Sequence, residues 1–247
     1  MKPLKTDLSV YSQFNFEHPP VGIKYLFSQP EGIEQLEKNL GFCEMLKAAH
    51  EMRKPFYFTK ENENCFGKAA LGMTETDTPP FSRSGLLGEK LGVFQEARAN
   101  LRLVRSNYTM PKGAINYVVY APIDQISFEP DLLVIMAEPS QAEIILRAMT
   151  YSTGKIFEIK ATTVLGCSWL YIYPHLTGKV NFTITGLSFG MKGRNVFPEG
   201  LMIISIPFTW LQTITQNLDE MTWEIEAYTM GRDTFFGLGK GHIGRFS

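Results

Sequence analysis

The feature that most constrains this chain is a strand–proline–helix pattern that occurs twice. Residues 23–37 read IKYLFSQPEGIEQLE and residues 132–146 read LLVIMAEPSQAEIIL. Each runs from an apolar, strand-like stretch through a polar residue and a proline (Pro30, Pro139) into an amphipathic segment. Proline in the first helical turn has the φ that turn needs and gives up only an N–H that would be unpaired anyway. Both segments therefore read as strand, turn, helix. Two more matches follow in the same order. Residues 55–59 (PFYFT) precede Cys65 as residues 155–159 (KIFEI) precede Cys167. Residues 111–126 and 198–214 share Pro-x-Gly, a strand-like run and a second proline.

This pattern predicts a mixed α/β (α+β) fold with parallel strand pairs, built as two pseudo-equivalent halves from a diverged internal duplication. The halves, packed as one compact body, are expected at 1–126 and 127–218, followed by a C-terminal extension at 219–247. Strand–proline–helix order is also common in unrelated α/β proteins, so chance similarity stands beside duplication. The halves differ in the middle. Residues 85–105 predict one helix with Leu87, Leu91, Phe94 and Leu101 near one face, whereas residues 179–185 alternate like a half-buried strand.

With 247 residues the chain can close a core without disulfides or metals, and 44% hydrophobic residues exclude a disordered one. No apolar run approaches the ~20 residues of a membrane helix, and the first twenty residues lack an apolar signal core. The expectation is a soluble, cytoplasmic protein without a membrane partner. Lys and Arg number 24 against 25 Asp and Glu, a formal net charge of −1, which argues against a nucleic-acid partner.

Three cysteines, Cys43, Cys65 and Cys167, offer the sharpest chemistry. None lies in a C-x-x-C pair, so neither a disulfide framework nor a zinc knuckle is indicated. Cys43 falls in an apparent helix, while Cys65 and Cys167 sit at matching turns of the two halves. A thiol at a helix N-terminus has its thiolate stabilised by free N–H groups. Should the halves pack about a pseudo-twofold axis, Cys65 and Cys167 would face each other and Cys43 could complete a three-thiolate cluster. Such a cluster suits an iron–sulfur centre or another soft metal. The plain reading is that free cysteine is among the most buried residue types and behaves as a small hydrophobe.

Other motifs carry less. Gly186-Leu187-Ser188-Phe189-Gly190 fits the G-x-S-x-G nucleophile elbow, with Asp233 and His242 following in hydrolase order, but residues 191–198 form helix poorly. Residues 239–244 fit G-x-G-x-x-G, yet only three residues follow, too few for a dinucleotide-binding helix. Lys240 and Arg245 in that tail could contact an anion. Arg98, Arg102 and Arg105 form a stripe that could hold an anion or RNA, although a solvated helix face is commoner. His50 lies two turns after Cys43 and could serve as an auxiliary ligand; His18, His175 and His242 are scattered. Asp131 and Glu138 bracket an apolar strand, where carboxylates act as acid or base or, more often, as caps.

PPVGIKYL (19–26), Cys43-Glu-Met-Leu-Lys-Ala-Ala and Phe56-Tyr-Phe-Thr59 carry a family resemblance, continued by Cys65-Phe-Gly67-Lys-Ala-Ala-Leu-Gly72. The chain resembles an uncharacterised prokaryotic family, a domain of unknown function sometimes called ArCR, over about residues 19–215. The resemblance extends to Ala121-Pro122, Pro130-Asp131, Gly190…Arg194 and Ile206-Pro207. It implies that Cys43, Cys65, Cys167, Gly67 and Gly72 are typical positions, and it brings no reaction with it. The resulting expectation is a thiolate-ligated metal, iron–sulfur or tetrapyrrole-type cofactor bound between the halves by Cys43, Cys65 and Cys167, suited to redox or lyase-type chemistry. Gly67 and Gly166 would allow close approach, and Lys24, Lys68 and Arg194 would hold an anionic group. The alternative is a non-catalytic small-molecule-binding module with structural cysteines. A homo-oligomer is compatible with both.

Overall fold

The computed structural model describes residues 1–74, 84–231 and 237. Its frame is a seven-stranded mixed sheet. The centre is β1 (Val21–Leu26), flanked by β4 (Tyr117–Pro122) and β5 (Leu132–Ala137), both antiparallel to it. Outside β4 lie β3 (Phe56–Phe58) and then β2 (Glu34–Gln35); outside β5 lie β7 (Met202–Pro207) and then β6 (Asn181–Ile184). Only the β2–β3 pair at one edge is parallel. The expected parallel pairing is thus corrected. Central strands such as LLVIMA are apolar throughout because both sheet faces are covered, and covering both faces does not require parallel neighbours.

One face packs α1 (Glu44–Met52), the short α2 (Gly67–Ala70), a π-helical turn (Ser168–Ile172) and the α6 turn that continues it (Tyr173–Thr177). Val21, Ile23, Val118, Tyr120, Leu132 and Val134 meet Met45, Leu46 and Tyr171 there. The opposite face packs a 3-10 helix (Ser9–Phe14), α5 (Pro139–Tyr151) and α8 (Phe208–Glu220). Leu133, Ile135, Ile204 and Ile206 meet Ala142, Ile145, Leu211 and Ile214 in that layer. Pro139 stands in the first turn of α5 as the sequence predicts. Glu138 and Gln141 close it in a reciprocal capping box, so Glu138 is a cap.

Three local expectations fail. Residues 31–37 form no helix, because Gly32 turns the chain at φ 70° into the edge strand β2. The single helix over 85–105 is two, α3 (Leu86–Lys90) and α4 (Ala97–Arg105), broken where Gly92 takes φ 70°. Residues 155–159 lie outside every strand, and β6 occupies the expected place at 179–185. Between α6 and β7 runs α7 (Phe189–Gly193), and a last turn, α9 (Glu226–Thr229), follows α8.

Setting β2 aside, the order β3-β4-β1-β5-β7-β6 reads alike from either end once β1, β3 and β4 are matched with β5, β6 and β7. The helices do not follow fully, since α1 and α5 cover opposite faces. Among the described residues no helix is long and apolar enough to cross a membrane.

Candidate functional site

On the α1 face, three separate loops meet around a cavity of about 620 Å³. Cys43, Cys65 and Cys167 all line it, together with Lys68 and Arg194. Leu87, Leu91, Val104, Val164 and Met191 supply apolar wall. The three cysteines are free; Cys43 is buried, Cys167 half-buried and Cys65 exposed. Cys43 and Cys167 occupy like positions. Both lie at a helix start on this face, Cys43 just before α1 and Cys167 in the short helical turn at 166–167 that runs into the π-helical turn and α6. Cys43 therefore lies at the start of its helix and not inside it, as Cys167 lies at the start of its own, whereas sequence order pairs Cys65 with Cys167.

The loops are fixed by a residue with no sequence signal. Glu63, 1% exposed, accepts backbone N–H bonds from Phe42 (2.9 Å), Cys65 (3.0 Å) and Lys68 (3.0 Å). One carboxylate thus ties the Cys43 loop to the Cys65 loop. The Lys68 ammonium donates to the Glu63 carbonyl oxygen (2.8 Å). Gly67 is needed for this closeness, because a Cβ there would stand 2.3 Å from the Phe42 Cβ. Gly166 plays the same part beside Cys167, where a Cβ would stand 2.7 Å from the Ser188 Oγ. The preceding Leu165 holds a left-handed φ of 56°, a conformation that costs of order 1–3 kcal/mol and clusters at functional sites.

Burial is the dominant electrostatic influence on the thiols. It pushes Cys43 up to about 12, with Cys65 adding to the rise and Arg194 opposing it. Burial likewise raises Cys167, reinforced by Cys43 and Cys65. Both sulfurs are therefore protonated near neutral pH and become ligands only when a bound group displaces the proton. Burial alone would lower the Arg194 pKa, but the facing Cys65, Glu44 and Cys43 raise it overall. Its Nη1 donates to Glu44 Oε2 at 2.9 Å, and the same oxygen accepts from the Gly41 N–H at 2.6 Å. The cavity thus presents the neutral Cys43 and Cys167 thiols beside a permanent cation.

The remaining candidates go elsewhere. Lys24 is drawn into an ion pair with Asp131 (2.8 Å), whose other oxygen accepts from the Tyr25 N–H, so neither lines the cavity. His50 bonds the Pro19 carbonyl at 3.0 Å and lies tilted against the His18 ring at 5.3 Å, outside the thiol cavity. Ser188 has an ordinary φ of −78° and is buried, without the strained turn of a nucleophile elbow. Asp233, His242, Lys240 and Arg245 lie outside the described residues. Arg98, Arg102 and Arg105 are exposed along α4. Among the described residues no three His, Cys, Asp or Glu side chains are grouped to hold a metal ion. The thiols share a cavity without surrounding a single point, as one tetrahedral ion would require at about 2.3 Å from each sulfur.

Comparison with known proteins gives a family match without an activity. The profile of a domain-of-unknown-function family described as "Uncharacterised ArCR" matches residues 10–217. An uncharacterized protein of Methanocaldococcus jannaschii is 28% identical over 209 residues, which cover 82% of this chain and 88% of the relative. No solved structure matches the chain.

Proposed function

The chain belongs to the uncharacterised ArCR family, and on that footing we propose that it binds an organic cofactor or substrate with an apolar body and an anionic end in the thiol-lined cavity. The observation that carries this reading is the convergence of Cys43, Cys65 and Cys167 on one cavity beside Lys68 and Arg194. Its volume falls within the ~300–1,000 Å³ of small-molecule sites, which are mostly apolar with a few polar anchors. Lys68 and Arg194 would pair with the anionic end. The thiols would meet a soft or electrophilic part of the ligand. A tetrapyrrole combines these properties, and redox or lyase-type chemistry suits a thiol-contacted centre.

A second reading is a thiolate-bound iron–sulfur cluster, favoured by the arrival of three sulfurs from three loops. A polynuclear cluster spans several ångströms and does not need three donors around one point. The two-half organisation by diverged duplication belongs to the same proposal. It is supported by the two-ended strand order and by the like placement of Cys43 and Cys167, while α5 has no counterpart in the first half.

Anaerobic purification followed by native mass spectrometry, absorption spectroscopy and elemental analysis tests these readings together. An added organic mass supports the first, and iron with labile sulfide supports the second. A colourless chain of bare mass whose thiols no cell-extract small molecule protects from alkylation would overturn both.

A further inference from the structure

The helices α3 and α4 bury almost none of their own apolar surface. Within them only Gly88 and Asn100 are buried. Leu86, Leu87 and Leu91 are 47%, 37% and 49% exposed. Among the described residues no apolar side chain of the pair belongs to either core layer. The two helices are tied to each other instead. Asn100 Nδ2 donates to the Gly85 carbonyl oxygen at 3.0 Å, and the Ala97 N–H donates to Glu89 Oε2 at 2.8 Å. Helices of five and nine residues fall short of the ~12–15 at which a helix is even marginal alone, so they depend on packing an apolar face. This pair offers that face to the thiol cavity, where Leu87, Leu91, Val93 and Val104 form one wall.

The rest of the cavity indicates what covers the wall. Val164, Leu165 and Met191 add more aliphatic carbon, and Lys68 and Arg194 add two basic groups. Asn100 is the polar side chain that the pair brings to the lining, and its NH2 is committed to Gly85. A heteroaromatic ring system needs stacking partners and fixed donors and acceptors for its heteroatoms. An aliphatic chain needs neither, and an acid group at its end answers the two bases. A second copy of this chain is a poorer occupant, because the leucines line a concave space of about 620 Å³ closed by a second wall, a shape suited to a small molecule.

We propose that the cavity takes a long-chain aliphatic acid, whose hydrocarbon chain supplies the apolar packing that α3 and α4 do not find within the protein. Occupancy and the order of the helix pair are then linked. The ligand binds the closed pair and stabilises it, and the pair opens more readily without the ligand. This rests on the cavity being a ligand site and narrows the apolar body of that ligand to aliphatic carbon.

The probes are dodecanoate and butyrate, added to the whole chain, with amide hydrogen exchange read by mass spectrometry and affinity by calorimetry. At a dodecanoate concentration about ten times its dissociation constant, amides of residues 97–105 should exchange about tenfold more slowly. Those of α5, on the other face of the sheet, should keep their rates. Butyrate carries the acid without the chain and should leave both unchanged. The double substitution Leu87→Gln, Leu91→Gln keeps good helix formers at exposed positions, so the free chain should melt as wild type does. It should weaken dodecanoate binding at least about tenfold. The exchange measurement on wild type stands without any variant. Dodecanoate that fails to bind, or that binds without slowing exchange at 97–105, overturns the proposal. So does a concentration-dependent dimer that the double substitution dissolves, since a second copy would then cover the leucines. A chain that takes mesoporphyrin and not dodecanoate refutes the aliphatic assignment and keeps the cavity as a ligand site. One that binds neither and carries no native ligand mass removes both.

Discussion

Replacing Glu63 by Gln tests the one contact that holds two of the thiol loops together. The amide keeps the side chain's shape and removes its charge. It can accept at only one end, whereas the carboxylate serves Phe42 with Oε1 and both Cys65 and Lys68 with Oε2. The better orientation keeps the carbonyl oxygen toward Cys65 and Lys68 and turns the NH2 toward the Phe42 N–H. Two bonds then fall from charged to neutral strength, roughly 1 kcal/mol each, and a third is lost with a buried donor left over, about 2 kcal/mol more. The sum is about 4 kcal/mol, a large share of a typical domain stability of about 5–15 kcal/mol. For a chain of this size that corresponds to a melting point lower by roughly 8–16 °C. Thermal and urea unfolding followed by far-ultraviolet circular dichroism reads it directly. Cys43 should also label faster, because the Phe42 anchor of its loop is released. A Glu63→Gln protein that melts within about 2 °C of wild type would refute the reasoning, since it would mean that the three N–H groups do not face a charged acceptor.

Three further outcomes follow from the same structure. His50 is pushed down from 6.5 to about 4, chiefly by burial and then by His18, so between those values the unfolded chain binds more protons and stability falls as pH drops. The loss reaches up to about 3 kcal/mol; urea unfolding from pH 7 to 4 should show it in wild type and not in His50→Gln, and parallel profiles would exclude it. Under native conditions a thiol reagent should find one fast cysteine, Cys65, and two slow ones, all three becoming equal in denaturant; a fast Cys43 would contradict its burial. Gly72→Ala combines a left-handed φ of 69° with a Cβ 2.4 Å from the Pro111 carbonyl oxygen, and should destabilise by at least about 2 kcal/mol on unfolding.

Much of the frame is legible in the residues. β1, β4, β5 and β7 coincide with the apolar runs that announce them, and Pro139 marks the start of α5. Strand direction is not legible there, because it depends on which neighbour a strand finds and not on its own composition. Residues 31–37 have helical spacing, but the edge of the sheet takes them as β2 through main-chain bonds that side-chain periodicity does not report. At Gly92 a single left-handed residue breaks a periodic segment that otherwise reads as one helix.

The site divides along the same line. Free cysteines and flanking glycines point to their own importance, and the three sulfurs do line one cavity. Their correspondence is another matter. Cys65 and Cys167 match by order along the chain, yet it is Cys43 and Cys167 that both stand at helix starts on one sheet face, a placement that depends on where each helix docks and not on spacing along the chain. Lys24 looks like any lysine near a strand, and only the arrival of Asp131 from β5's approach removes it from the site. Glu63 is the converse: in Asn62-Glu63-Asn64 it reads as a solvated turn, and it becomes a buried anchor only when the Phe42 loop folds over it.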